Sequence, residues 1–269
     1  MSATDTTFAG SIPIIYEQYL GSLLFEPYAQ DMAARLRDLA QGRVLEVAAG
    51  TGIVTRALAK TLPTDVEIVA TDLNQAMLDV AAKRLQAPNV AWRQADAQHL
   101  PFEDASFDAV VCQFGVMFFP DKLSAYREAL RILKPGGRYV FSAWNSLDRN
   151  EVTRFVSDTV GKLFPGDPPR FFERVPHGYS DPDRIRGEVQ QAGFENVEID
   201  IVEKVSEAAS PHDPAMGLCQ GTPLRAEIEA RAPGRLEEIT AKAVDALRAR
   251  FGSSAVRNPM SALVVTAWC

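Results

Sequence analysis

Cysteine is scarce: Cys112, Cys219 and Cys269 are the only three in 269 residues. They are too few and too scattered for a disulfide framework or a cysteine-rich zinc site. Histidine is equally rare, with three residues, so no metal centre is expected. Long apolar runs are missing, and none approaches the roughly 18 residues of a membrane span. The opening MSATDTT has no positive segment leading into an apolar one, so no secretory signal is expected. Positive charge is also in deficit, because 28 Lys+Arg face 35 Asp+Glu for a formal net charge of −7. A nucleic-acid-coating protein gains affinity by neutralising phosphates, and this balance argues against one. The expectation left standing is a soluble cytoplasmic chain. Its 46% hydrophobic and 23% charged residues suffice for a real core. The length suits one large α/β domain, or a core with an appended lid.

Residues 44–145 alternate short β-branched runs with amphipathic stretches, the pattern of a parallel sheet wrapped by helices. Strands are expected over VLEVAA (44–49), VEIVATD (66–72), NVAWRQ (89–94), FDAVVCQ (107–113) and RYVFSAW (138–144). Helices fall between them, near 51–61, 74–86 and 121–133. In the third, Leu123, Tyr126, Leu130 and Leu133 share a face, and Gly136 of the following KPGG is in reach of a C-terminal cap. Residues 12–40 read as two helices, the second opening at Pro27 and closing at Gly42. Residues 146–180 are rich in aromatics and proline and fit no sheet pattern. DPDRIRGEVQQAG then signals a helix, with Asp181 as N-cap, Pro182 at the first position and Gly193 at the end. A strand over 196–205, about two helices near 213–231 and 234–251, and an apolar strand over 261–268 complete the chain. Open α/β sheets bind ligands at the carboxyl ends of their strands. If the last strand is antiparallel to 196–205, the helices between them hang over that edge.

The first strand ends in EVAAGTG and runs straight into IVTRALAK. Gly50 and Gly52 permit a tight turn and close ligand approach, and the helix start presents free N–H groups. An ordinary strand-to-helix turn is the alternative. Asp72 closes the second strand 20 residues after Gly52, where an acidic side chain accepts both hydroxyls of a ribose. A helix N-cap is its other role, although Asn74 is better placed for that. Together these features suggest an adenosine-type cofactor. A nicotinamide cofactor calls for G-x-G-x-x-G or Ala, and here the string is Gly50-Thr51-Gly52-Ile53-Val54-Thr55. The β-branched Thr55 obstructs close packing there, and no second mononucleotide-binding half follows.

ADAQHLPFEDASFDAVVCQFGVMFFPD (95–121) followed by LKPGGRYVFSAW (133–144) resembles the class I S-adenosylmethionine-dependent methyltransferases, in their ubiquinone/menaquinone-type (methyltransferase type 11-like) branch. The resemblance covers about residues 43–145. It implies an α/β, Rossmann-like, doubly wound, seven-stranded, mostly parallel sheet with an antiparallel last strand, plus helical lid insertions. The division expected is an N-terminal helical lid over 1–42, a cofactor-binding core over 43–145, a lid insertion over 146–180, and completion of the sheet over 181–269 with a helical cap at about 210–253. S-adenosylmethionine is the implied cofactor and S-adenosylhomocysteine the product. By the same resemblance Glu46 and the loop Ala48, Ala49, Gly50, Thr51 and Gly52 hold the methionine part. Asp72 takes the ribose hydroxyls, with Leu73 and Met77 near the adenine; Asp96 faces the adenine amino group, and the Ala97 backbone reads the ring edge. Gln113 and Phe114 border the methionine moiety and the substrate. Ala48 departs from the pattern, standing where the family usually has its first glycine. Met77 has a core reading as well, Asp96 a plain loop reading, and His99 reads as an exposed loop residue.

Methyl transfer from a sulfonium is an in-line displacement with a neutral leaving group, so no acid is needed and positioning carries most of the catalysis. A base is required only for an acceptor proton of high pKa, and no catalytic residue is assigned. His177 and Tyr179 are candidates for a base or substrate contact, or else an aromatic loop on the sheet edge; His212 is weaker. Tyr16 and Tyr19 either close over the cofactor or form an ordinary helix face. QFGV after the fourth strand is not the Asn/Asp-Pro-Pro-aromatic tetrapeptide of amino-directed nucleic-acid and glutamine methyltransferases, and the cysteine cluster an arsenic acceptor needs is missing. Phe114, Met117, Phe118, Trp144, Phe164, Phe171 and Phe172 flank the expected mouth, with the pair Phe118–Phe119 read as half core and half wall. They suggest a small apolar or aromatic acceptor methylated on oxygen or carbon. The alternatives are a non-catalytic cofactor-binding protein and a nicotinamide-dependent oxidoreductase. Oligomeric state is not legible in the sequence.

Overall fold

The computed structural model describes residues 3–6 and 8–269, so residues 1, 2 and 7 of the expected N-terminal lid lie outside the described residues. β-Branched and aromatic runs form seven strands: β1 (Gly42–Glu46), β2 (Val66–Asp72), β3 (Val90–Gln94), β4 (Phe107–Gln113), β5 (Leu133–Trp144), β6 (Asn196–Ala208) and β7 (Val256–Trp268). They form one sheet in the order β3-β2-β1-β4-β5-β7-β6. β1 pairs in parallel with β2 and β4, whereas β7 is antiparallel to both β5 and β6. Strand order reverses at β1. The crevice between the ends of β1, β2 and β4 is therefore the topological switch point where such sheets take ligands.

The helices are α1 (Ile12–Ile15), α2 (Glu26–Ala34), α3 (Ile53–Thr61), α4 (Gln75–Arg84), α5 (Lys122–Ile132), α6 (Glu151–Lys162), α7 (Phe171–Arg174), α8 (Pro182–Ala192), α9 (His212–Gln220), α10 (Leu224–Arg231) and α11 (Leu236–Phe251). A π-helical stretch, Tyr16–Phe25, joins α1 to α2, so the break expected before Pro27 is absent; Pro27 opens α2 inside a continuous rod that stops at Ala34. Gly42 does not close that rod. It begins β1 with φ +117° and lies against the Asp108 carboxylate, leaving no room for a side chain.

Three further boundaries differ from the sequence reading. β1 ends at Glu46 rather than at residue 49, because Ala48 adopts φ 55° and turns the chain out of the sheet. α5 stops at Ile132 with Leu133 extended, and Gly136 (φ +78°) lies within β5 at a register shift instead of capping the helix. The segment expected as one helix over 213–231 is split at Gly221-Thr222-Pro223 into α9 and α10, since proline cannot continue a helix interior. α8 follows its signals: Asp181 accepts from the N–H groups of Asp183 and Arg184, Pro182 occupies the first turn, and Gly193 at φ 115° ends it. Among the described residues, no helix is long and apolar enough to cross a membrane.

β6 runs outward to the ligand edge and β7 returns antiparallel, so the chain between them, α9, α10 and α11, leaves and re-enters the sheet at that edge. Arg174, within the aromatic insertion, is paired with both Asp5 and Glu227. Arg225 donates to Ser11 Oγ at 2.7 Å. Three segments far apart in sequence are thereby joined above the carboxyl ends of the strands.

Candidate active site

The loop after β1 continues the sheet's hydrogen bonding before it turns. Val47 N–H reaches the Val111 carbonyl at 2.9 Å and Ala49 N–H the Thr71 carbonyl at 2.8 Å. Gly50 (φ +56°) then aims its N–H at Asp72 Oδ2, 2.8 Å away. Asp72 Oδ1 accepts from Asn74 N–H, also at 2.8 Å. The carboxylate is 7% exposed, and burial raises its pKa against the pull of the Asn74 and Gly50 hydrogen bonds. Oδ2 still has an acceptor site free for a ligand, and Oδ1 gains one where the long 3.4 Å contact from Asn74 Nδ2 gives way. Asn74 occupies the N-cap position of α4 but makes no side-chain cap; its Nδ2 turns to Asp72 instead.

Glu46, the last residue of β1, is 2% exposed. Thr55 Oγ1 donates to its Oε2 at 2.6 Å, and burial pushes the carboxyl up to about 8, with repulsion from Asp72 adding to the shift. Thr55, which obstructs a pyrophosphate-binding turn, thus serves here to hold a buried carboxyl. Gln113 ends β4 with its Nε2 on the Phe25 carbonyl (3.1 Å), and its buried Oε1 has no partner among the described residues.

Most of the expected residues meet around two neighbouring spaces that share lining residues. A cavity of about 300 Å³, within the range of small-molecule sites, is lined by Ala48, Gly50, Asp72, Leu73, Met77, Asp96, Ala97, Gln113 and Phe114 together with aromatic side chains. Beside it, a smaller recess is bordered by Glu46, Ala48, Ala49, Gly50, Thr51 and Gln113, and Tyr16 and Phe25 border both. Gly52 lines neither space. It caps α3 at φ 78°, and a Cβ there would lie 2.7 Å from the Trp92 ring and 3.0 Å from Ala81. Its role is to let α3 pack onto the sheet. Met77 is both cavity wall and core, at 4% exposure. Asp96 lines the cavity while its Oδ1 accepts from Gln98 N–H at 2.9 Å.

The aromatic wall is ordered by stacking. Phe114, in the left-handed region at φ 52°, lies flat on Trp144 with centroids 3.8 Å apart and planes 3° apart. Phe118, Phe119, Phe171 and Phe172 continue the wall, whereas Met117 and Phe164, expected at the mouth, do not reach it. Tyr16 lines the cavity and stacks on Phe25 at 4.7 Å; Tyr19 instead meets His212, outside the cavity. Tyr179 turns away, its hydroxyl 2.6 Å from Glu188 and 3.1 Å from Tyr126. His99 is exposed. His177 does face the cavity.

Glu17 is the residue that sequence reasoning missed. It is a buried carboxylate of the π-helical stretch that accepts from Thr51 Oγ1 and from Arg56 at 2.7 Å, with Arg84 at 3.3 Å. The N-terminal rod is thereby fastened to the glycine loop. Nothing in the spacing around Glu17 signals a partner 34 residues away.

A family described as "Methyltransferase domain" matches residues 45–141. The ubiquinone/menaquinone biosynthesis C-methyltransferase UbiE of Idiomarina loihiensis is 32% identical over 188 residues, covering 65% of this chain and 74% of that protein. The enzyme of the same description from Cellvibrio japonicus is 34% identical over 170 residues, covering 58% and 68%. Among solved structures, the YcgJ protein of Bacillus subtilis superposes with a TM-score of 0.57 at 19% identity over 90% of this chain and 97% of its own. Phosphoethanolamine N-methyltransferase 2 of Haemonchus contortus, solved with phosphomonomethylethanolamine and S-adenosylhomocysteine, gives 0.60 at 16% identity over 95% and 56%. At such identities the structural likeness speaks for the fold.

Proposed function

The chain belongs to the class I S-adenosylmethionine-dependent methyltransferases of the UbiE type, and from that premise we propose that it methylates a small planar acceptor of quinone or phenol character on oxygen or carbon. It is an enzyme, and its cofactor is S-adenosylmethionine; this replaces the non-catalytic and nicotinamide-dependent alternatives. When bound, the cofactor supplies a methyl group on a cationic sulfur that leaves as a neutral thioether.

The residues present fit that cofactor. Asp72 offers free acceptor capacity for ribose hydroxyls at the end of β2, and Glu46 and the orphaned Gln113 Oε1 offer acceptors beside the recess for an ammonium group. Leu73, Met77, Asp96 and Ala97 form the side of the cavity where an adenine would lie, and Ala48 to Thr51 border the methionine end. The segments 1–42, 146–180 and 210–253 act in this reading as one lid, supported by the Asp5–Arg174–Glu227 cluster. Closing such a lid excludes water and holds the reacting atoms in line, an effect worth up to about 7–11 kcal/mol in favourable intramolecular cases.

The observation that carries the proposal is the meeting of a buried, backbone-anchored Asp72 with a stacked aromatic wall in one cavity. The relatives named for ubiquinone and menaquinone biosynthesis support a ring-shaped acceptor. The test is calorimetry with S-adenosylhomocysteine, alongside transfer of labelled methyl to a panel of hydroquinones and phenols. Hydrogen bonds to a charged group contribute about 1.5–3 kcal/mol each, so losing two in Asp72→Ala should weaken binding by about two to four orders of magnitude. Unchanged affinity in a folded variant would refute the ribose assignment.

A further inference from the structure

Among the described residues, four titratable side chains line the cavity: Tyr16, Asp72, Asp96 and His177. Burial beside Glu17 and Asp72 drives the Tyr16 hydroxyl far above its ordinary range, so it holds its proton. Asp72 is engaged by Gly50 and Asn74, and Asp96 by Gln98. His177 is different. Its backbone N–H donates to the Phe172 carbonyl at 2.9 Å, and its Nδ1 lies 2.8 Å from the Asn145 carbonyl. A carbonyl only accepts, so Nδ1 carries the hydrogen and the lone pair is on Nε2. Asn145 is fixed in turn, its N–H on the Ser261 carbonyl (3.1 Å) and its Nδ2 on Ser261 Oγ (3.0 Å). Nε2 makes no hydrogen bond among the described residues. The ring sits 6.0 Å from Trp144, the residue that stacks on Phe114. Burial lowers its pKa to about 4, so the imidazole is neutral near pH 7 and Nε2 keeps its lone pair.

Resting on the methyltransferase reading above, we propose that His177 is a catalytic base that receives the proton of an acceptor hydroxyl, and that the acceptor is a planar phenol or hydroquinone methylated on oxygen. The acceptor O–H bond breaks with its proton passing to Nε2. An oxygen lone pair forms the new O–C bond as the methyl–sulfur bond breaks, and that bond's electron pair stays on sulfur. The imidazolium then releases its proton to solvent. Asn145 fixes the tautomer and Trp144 lies beside the ring, so the base is oriented before the acceptor arrives.

The probes are 2-naphthol and its methyl ether, 2-methoxynaphthalene, titrated into protein saturated with S-adenosylhomocysteine. Wild type should bind the naphthol about tenfold more tightly than the ether, since only the former satisfies Nε2. His177→Asn keeps a donor for the Asn145 carbonyl and removes the Nε2 acceptor. In it the preference should fall towards one with S-adenosylhomocysteine affinity unchanged, and naphthol methylation should drop about a hundredfold or more. Should that variant fail to fold, nitrogen NMR of wild type decides, because the chain has only three histidines. The Nε2 resonance of His177 should move with naphthol and stay put with the ether. Equal affinity for both probes, an unaltered preference or turnover in His177→Asn, no wild-type methylation of naphthol, or an unmoved Nε2 resonance would each overturn the proposal. Asp72→Ala that keeps full S-adenosylhomocysteine affinity is a separate failure, of the cofactor site.

Discussion

Replacing Glu46 by glutamine should stabilise the protein, and by an amount that grows with pH. The carboxyl is buried at the end of β1 with one hydrogen bond from Thr55, and its pKa stands at about 8 against an ordinary 4.5. Between those values the folded state keeps a proton that the unfolded chain has already released. The folded pKa is the raised one, so this contribution to stability is fully present below pH 4.5 and is lost as pH rises through 8. At about 1.4 kcal/mol per unit, wild type forfeits about 2 kcal/mol by pH 6, about 3 by pH 7 and about 4 by pH 8, approaching 5 beyond. Glu46→Gln keeps an oxygen for Thr55 and does not titrate. Urea unfolding of both proteins at pH 6, 7 and 8 reads the difference. Total stabilities are about 5–15 kcal/mol, so a gap widening by about 2 kcal/mol over this range is visible as diverging midpoints. A constant gap, or a variant less stable than wild type at pH 8, would show that Glu46 is ionised in the folded ligand-free protein.

Three further outcomes follow from the same geometry. If a cationic cofactor binds beside Glu46, binding at pH 7 should release nearly one proton. Calorimetry in buffers of different ionisation enthalpy measures this, and Glu46→Gln should abolish it. Gly52→Ala forces a methyl into the left-handed region against Trp92 and Ala81, at a cost of about 1–2 kcal/mol for the backbone and about 1–3 for the crowding. Its melting temperature should fall by at least about 5 °C, and an unchanged value refutes the packing role. Glu17→Ala removes the buried partner of Thr51, Arg56 and Arg84. Both arginines are partly solvated, so the loss should stay near the low end of a broken buried pair, about 2–3 kcal/mol. Hydrogen exchange should quicken in Ile12–Ala34, and unaltered protection there would show that Glu17 does not fasten the rod.

The sequence by itself determined the sheet. β-Branched runs separated by amphipathic stretches mark strands wherever the core must be filled, and all seven strands fall where that pattern places them, with only their ends displaced. It also determined Asp72 and the glycine loop as neighbours, because a strand-to-helix turn and the end of the adjacent parallel strand are brought together by local geometry alone. Contacts between distant segments lie beyond such local rules. That Ala48 accepts a left-handed φ, that Gly136 belongs to a bulged strand rather than a helix cap, and that Tyr179 turns into the core while His177, two residues earlier, faces the cavity all depend on what packs opposite. Likewise the fastening of Glu17 to Thr51 and the stacking of Phe114 on Trp144 join residues 34 and 30 positions apart. No periodicity encodes such pairs. They are chosen when the burial of one side chain leaves room for another, and only the assembled tertiary structure makes that choice.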